Sequence, residues 1–223
     1  MNRTTNWFER ADTKYDRKDY QGAIADLTKA ISLKSDDALA YYNRGCAKSH
    51  LKGYQGAISD FDKAIELKPD HEDAYNNRGF AKDSLRDCQG AIGDHTTAIR
   101  LKPDHALAYH SRGRAKSHLK DYQGAIADFT KAISLEPCFA FAYDHRGCAE
   151  SHLEEYRVAI ADHTAAIKLN PGFAIAYYHW GGEYLMLGQK DKALTDFKRA
   201  QELGLRVAPE VLDKCLSWRG EVT

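Results

Sequence analysis

Ten histidines and five cysteines carry the most obvious chemical potential in this chain of 223 residues. Cys46 and His50 lie four residues apart, as do Cys148 and His152, so on a helix each thiol shares a face with its imidazole. Asp144 or His145 extends the second pair along the same line, and His118 and His179 would come from neighbouring helices. Those are donors that zinc accepts. However, His50, His118 and His152 belong to copies of one Ser-His-Leu segment, so duplication of the chain accounts for them without a metal. No CxxC or HExxH spacing strengthens the idea, and neither a metal nor a cofactor is expected. Cys148 and His152 could also be read as nucleophile and base. They lack an orienting third group and an oxyanion device, so a non-enzymatic protein is expected.

The elements that must position these residues are written in a repeat. Gly45, Gly79, Gly113, Gly147 and Gly181 recur every 34 residues, with Ala11 one period earlier. Ala23, Ala57, Ala91, Ala125, Ala159 and Ala193 keep the same step, as do Ala30, Ala64, Ala98, Ala132, Ala166 and Ala200. Pro69, Pro103, Pro137 and Pro171 close four of the six units, while Ser35 and Leu205 stand at the outer ones. Within a unit, Tyr41, Gly45, Leu51 and Tyr54 precede Ala57, Ile58, Phe61, Ala64, Ile65 and Leu67 with the three- and four-residue spacing of amphipathic helices. Two helices per unit follow, about 38–51 and 55–67 in the second. The chain is expected to turn around Gly53, and Asp70 and Asp104 to cap the next helices. An interior glycine costs about 1 kcal/mol relative to alanine. Its recurrence therefore implies close helix approach, expected here against the alanine of the Ala57 type.

Units one to five also carry an arginine (Arg10, Arg44, Arg78, Arg112, Arg146) in phase with an aspartate that recurs in all six (Asp26, Asp60, Asp94, Asp128, Asp162, Asp196). Paired guanidinium and carboxylate groups suit a partly buried contact between helices. A basic stripe for an acidic ligand is the alternative. Units two and four share a Ser-His-Leu-Lys segment and a phenylalanine (Phe61, Phe129). Units three and five instead share Asp-His-Thr, at Asp94-His95-Thr96 and Asp162-His163-Thr164, which points to growth by copying 68 residues. After Leu205, Pro209 suits a first helical turn, and Val211, Leu212, Cys215 and Leu216 form one apolar face that should cover the last pair.

On these residues the chain resembles the tetratricopeptide repeat family over about 4–205. Its pattern has an aromatic at position 4, small residues at 8, 20 and 27, an aromatic at 24 and proline at 32. Arginine replaces the family's usual leucine at position 7, and His95 and His163 replace the aromatic at 24. The resemblance implies an all-α, right-handed superhelical solenoid of antiparallel helix pairs. Its pairs would fall at about 4–37, 38–71, 72–105, 106–139, 140–173 and 174–205, with a capping helix and tail at 206–223. It also implies a ligand groove along the first helices. Mapped here, that groove takes Tyr42, Asn43, Cys46 and His50, then Asn76, Asn77, Phe80 and Asp83. It continues with His110, Ser111, Arg114 and His118, then Asp144, His145, Cys148 and His152, and ends at Tyr178 and His179. Asn43 and Asn77 would bond an extended peptide, and Tyr42, Phe80 and Tyr178 would line apolar pockets. The carboxylate clamp of chaperone-binding members is not expected, because Phe8 and Asp12 stand where lysine and asparagine belong.

Composition narrows the functional classes. Thirty-two basic residues balance thirty-two acidic ones, so no net field draws nucleic acid or an anionic membrane. No run of apolar residues is long enough for a membrane span or a signal peptide. An odd number of cysteines inside helical patterns suits a reducing compartment, and a cytoplasmic location is expected. The reading is a scaffold or adaptor that binds a protein or peptide segment in its groove. A regulatory subunit that embraces a partner enzyme and a zinc protein using groove Cys and His are the alternatives. Self-association through the terminal repeats, where Trp7 and Trp180 lie, is a further possibility.

Overall fold

The structure is a computed structural model that describes residues 3–216, and among them it contains thirteen α-helices and no strand. The first six are α1 (Arg3–Asp16), α2 (Tyr20–Leu33), α3 (Ala38–His50), α4 (Tyr54–Leu67), α5 (Glu72–Ser84) and α6 (Cys88–Leu101). They are followed by α7 (Ala106–His118), α8 (Tyr122–Leu135), α9 (Ala140–His152), α10 (Tyr156–Leu169), α11 (Ala174–Met186), α12 (Lys190–Glu202) and α13 (Pro209–Leu216). The helices pack as successive antiparallel pairs. The chain divides into two compact units, 1–115 and 116–223. In the first, α1 pairs with α2, α3 with α4 and α5 with α6, and α2 also packs on α3 and α4 on α5. In the second, α9 pairs with α10 and α11 with α12, while α8 packs on α9 and α13 on α12.

Sequence chemistry sets the helix ends. Asp37 accepts hydrogen bonds from the Leu39 and Ala40 N–H groups. Asp19, Asp87 and Asp121 cap α2, α6 and α8 through the N–H groups of Gly22, Gly90 and Gly124. Asp70 does not cap α5: the chain enters that helix one residue later, at His71, which makes no side-chain cap bond. Gly53 turns out to have an ordinary φ of −79°. The left-handed residue is Lys52, at φ 60°, and the same place is held by Lys18, Arg86, Lys120 and Glu154.

The repeated glycine faces a different neighbour from the one its spacing suggests. A Cβ at Gly45 would lie 2.7 Å from the Phe61 ring, and one at Gly181 would lie 2.9 Å from Phe197. At Gly79 and Gly147 the obstacle is the imidazole of His95 or His163, at 2.8 Å in both cases. The alanine of the second helix contributes only its carbonyl, as at Ala159 and Ala193, 3.1 Å away. Glycine therefore makes room for the ring, because a whole ring reaches across the pair whereas an alanine methyl stops short of it. Phe61, Phe129 and Phe197 are buried accordingly, as are the alanines around them.

The arginines are paired. The Arg44 Nε and Nη2 groups donate to the two carboxylate oxygens of Asp60 at 2.9 and 2.6 Å, and Arg78 binds Asp94 at the same distances. Arg146 holds Asp162 at 2.6 and 2.8 Å, and Arg10 lies 3.5 Å from Asp26. The remaining Nη1 reaches back to the preceding second helix, from Arg44 to Thr28 and from Arg146 to Thr130. A second cation joins four of the carboxylates, since Lys14, Lys48, Lys82 and Lys116 contact Asp26, Asp60, Asp94 and Asp128 at 2.7–2.8 Å, whereas Glu150 stands at that place beside Asp162 and is raised to about 7 by burial and that neighbouring charge. Such compensation is what allows a buried carboxylate to stay ionised. The last pair breaks the pattern, because Trp180 and Tyr184 occupy the two cation positions opposite Asp196. Burial then raises the Asp196 carboxyl from 3.8 to about 6.

At the C-terminal end, Val207 and Cys215 are buried with Phe197, and Val211 and Leu212 pack beside them. Leu216 was expected on the same face but is exposed. Residues 217–223 of the expected cap and tail lie outside the described residues.

Two measurements test this account. Gly45→Ala is expected to cost about 1–3 kcal/mol in thermal or urea unfolding, because the methyl overpacks against Phe61. Gly93→Ala, where nothing lies within 4 Å, should instead gain about 0.5–1 kcal/mol from helix propensity. Because the folded-state pKa of Asp196 is raised, its contribution is neutral below pH 4 and destabilising as the pH rises through 6. Asp196→Asn should therefore reduce that loss and add about 1–2 kcal/mol at pH 7, read from unfolding curves across pH.

Candidate functional site

The first unit carries a hollow of about 450 Å3 that runs along the first helices of its pairs. Eight expected groove residues line it: Cys46 and His50 on α3, Asn76, Asn77 and Phe80 on α5, and His110, Ser111 and Arg114 on α7. Tyr15, Ser49, Lys52, Tyr54, Phe61 and Leu107 complete the wall. Tyr42 and Asn43 line a smaller hollow of about 220 Å3, with Asp12, Leu27, Tyr15 and Cys46.

The side chains in the hollow differ in how far they are committed to the protein. The Asn77 Nδ2 donates to the Tyr42 hydroxyl at 3.0 Å and to the Cys46 Sγ at 3.4 Å, fastening α5 to α3. Burial raises both the Tyr42 hydroxyl and the Cys46 thiol. Cys46 does not work with His50, whose ring stacks on Tyr20 at 4.5 Å and meets the Tyr15 edge at 5.4 Å. Asn76 was expected in the groove. Only 3% of it is exposed, and its Oδ1 lies 2.9 Å from the Nδ1 of buried His95. Burial lowers His95 to about 4, so this imidazole is neutral at pH 7. Asp83 is likewise buried, 3.7 Å from Arg114. His110 is buried as well. Phe80 and Leu107 present exposed apolar surface, with the Arg114 guanidinium 5.9 Å above the Phe80 ring.

The second unit brings together a different set of the expected residues. Asp144 Oδ1 lies 3.1 Å from His163 Nδ1 and 3.0 Å from His179 Nδ1. Cys148 Sγ lies 3.2 Å from that same His179 nitrogen. Burial alone would raise the Asp144 carboxyl, but hydrogen bonds to the two imidazoles hold it well below the usual carboxylate range. Burial opposes protonation of His179, yet Asp144 raises its pKa. Burial, Asp144 and Glu183 all push the Cys148 thiol upward, which argues against a ready nucleophile. His152 does not join Cys148, because it is exposed and stacks on Tyr122 at 4.5 Å. His145 lies against Phe129, and Tyr178 against Phe197 and His179. His118 is exposed at the end of α7.

Sequence reasoning missed His163 and Glu183 as members of this cluster. His163 was visible as a departure from phenylalanine, the signal that a buried ring had become polar. The terminal tryptophans already have neighbours in the fold. Trp7 sits under Arg10 and Lys29, and Trp180 lies beside Tyr177 and Tyr184. All five thiols are free, and none of the described helices is long and apolar enough to cross a membrane.

Family models match three stretches of the chain. One described as TPR repeat covers residues 11–48, and one described as Tetratricopeptide repeat covers 38–71 and 106–137. No curated protein matches the sequence. Among solved structures, MamA is similar at 28% identity and a TM-score of 0.64, over 71% of this chain and 93% of its own. YrrB, described as a TPR protein with an unusual peptide-binding site, is similar at 23% identity and a TM-score of 0.63, over 80% and 92%. The Cut9-Hcn1 hetero-tetramer of the APC/C has a TM-score of 0.84 at 18% identity, over 96% of this chain and 43% of that one.

Proposed function

Because this chain belongs to the tetratricopeptide repeat family, a fold that serves protein–protein interaction, we propose that it is a non-enzymatic scaffold binding a partner's extended segment in the first unit's hollow. The observation that carries the reading is the composition of that hollow. Cys46, Asn76, Asn77, Phe80, His110 and Arg114 in its wall stand at positions that change between repeats, while the glycines, alanines and paired arginines behind it recur in most of them. Fixed positions build the frame, and variable ones on a concave wall select what enters it.

The wall favours a particular kind of segment. Phe80, Leu107 and Tyr54 offer an apolar seat for a bulky side chain, and burying one there contributes about 1.5–3 kcal/mol. Arg114, held over Phe80 and steered by Asp83, suits an acidic residue next to that side chain. Asn77 spends its N–H groups inside the protein, so it serves a peptide through its carbonyl oxygen. Free thiols throughout the chain fit work in the reducing cytoplasm.

Selection from a random peptide display library on the full chain tests the reading. Enriched sequences should pair a large apolar residue with an acidic one. Phe80→Ala should weaken their binding at least about 10-fold by fluorescence polarisation. Tyr178→Ala, in the other unit, should leave it unchanged. Failure to enrich any sequence, or affinities indifferent to Phe80, would defeat the proposal.

A further inference from the structure

We propose that the second unit is a zinc-binding module in which Asp144 and Cys148 of α9, His163 of α10 and His179 of α11 hold one ion, with Glu183 supporting His163 from behind. The inference does not rest on peptide binding in the first unit.

Geometry is the first ground. One donor atom from each of the four side chains lies within 4.8 Å of every other. The closest approaches are 3.0, 3.1 and 3.2 Å. A tetrahedral zinc with bonds of about 2.0–2.3 Å separates its ligands by roughly 3.4–3.6 Å. The cluster therefore needs to open by only a few tenths of an ångström. Asp144 and Cys148 stand one helical turn apart, so they present their donors from one face of α9. The donor set of thiolate, carboxylate and two imidazoles suits zinc, whereas magnesium and calcium require oxygen ligands. Once the thiol is deprotonated, its charge and that of Asp144 neutralise the ion.

Two buried atoms without hydrogen-bond partners give a second ground. His163 is fully buried, and its Nε2 lies 3.7 Å from the equally unpartnered Oε2 of Glu183. If Nδ1 ligates the metal, Nε2 carries the proton and points at that carboxylate. This is the outer-shell arrangement that fixes a zinc-bound imidazole.

The chain supplies its own control 68 residues earlier. His95 occupies the same place in its repeat as His163, and its Nδ1 is met by the neutral Asn76, where His163 meets Asp144. Around it, the counterparts of Cys148, His179 and Glu183 are Phe80, Ser111 and Ala115. A neutral amide thus suffices at the Nδ1 of a buried histidine, whereas the second compact unit gathers Asp144, Cys148, His179 and Glu183 around its copy. Core repair does not call for Cys148, His179 or Glu183. A metal does, and His179, with 28% of its side chain exposed, leaves a way in.

Cobalt titration of the chelator-treated full chain, followed by zinc competition, tests the proposal. One equivalent should produce the intense visible bands of a tetrahedral ion and a sulfur-to-metal charge-transfer band, both erased by zinc. Cys148→Ser should remove the charge-transfer band, and Glu183→Gln should weaken binding about 10-fold. His163→Phe keeps the core filled, because it restores the ring of Phe61, Phe129 and Phe197, so its loss of binding cannot be ascribed to misfolding when helicity is retained. His152→Asn should change nothing. Absence of saturable binding would overturn the assignment, as would spectra unchanged by Cys148→Ser and His163→Phe.

Discussion

A ring from the second helix of each pair presses against a backbone that has no side chain, and the rest of the fold depends on that contact. Gly45 leaves the space that Phe61 fills, and a Cβ there would stand 2.7 Å from the ring. The contact fixes how closely the two helices approach. That spacing in turn sets the reach of Arg44 to Asp60 and of Lys48 to the same carboxylate. Once the helices are this close, the aspartate is removed from water and requires a cation beside it. Asp196, which faces Trp180 and Tyr184 instead, shows the consequence in its raised pKa.

The same contact links the core to the functional surface. When the ring is an imidazole, it needs a polar partner, and the first helix provides one from Asn76 or Asp144. Both positions belong to the face that the family pattern assigns to ligands. In the second unit, polarity introduced to satisfy a core histidine thereby extends outward, through Asp144, to His179 and Cys148.

Much of this was legible in the residues. The period, the helix pairs and the arginine–aspartate contacts follow from spacing alone, because each depends on residues within one repeat. Depth was not legible. A 3.6-residue pattern identifies the face a side chain occupies without saying how far it sinks, so Asn76, Asp83 and Asp144 were read as groove residues although they are buried. Contacts across repeats were also hidden, as with Asn77 and Tyr42, which lie 35 residues apart. His50 and His152 looked like partners of the cysteines one turn away. They stack on Tyr20 and Tyr122 instead.

The left-handed turns bear on how the protein comes apart. Lys18, Lys52, Arg86 and Lys120 are exposed, hold positive φ and recur every 34 residues. A side chain in that conformation costs about 1 kcal/mol relative to glycine. Each is also a residue after which trypsin cleaves. Digestion under native conditions would begin at the joints between paired helices and release fragments in steps of one repeat, so the periodicity of the sequence would be read again as a ladder of masses.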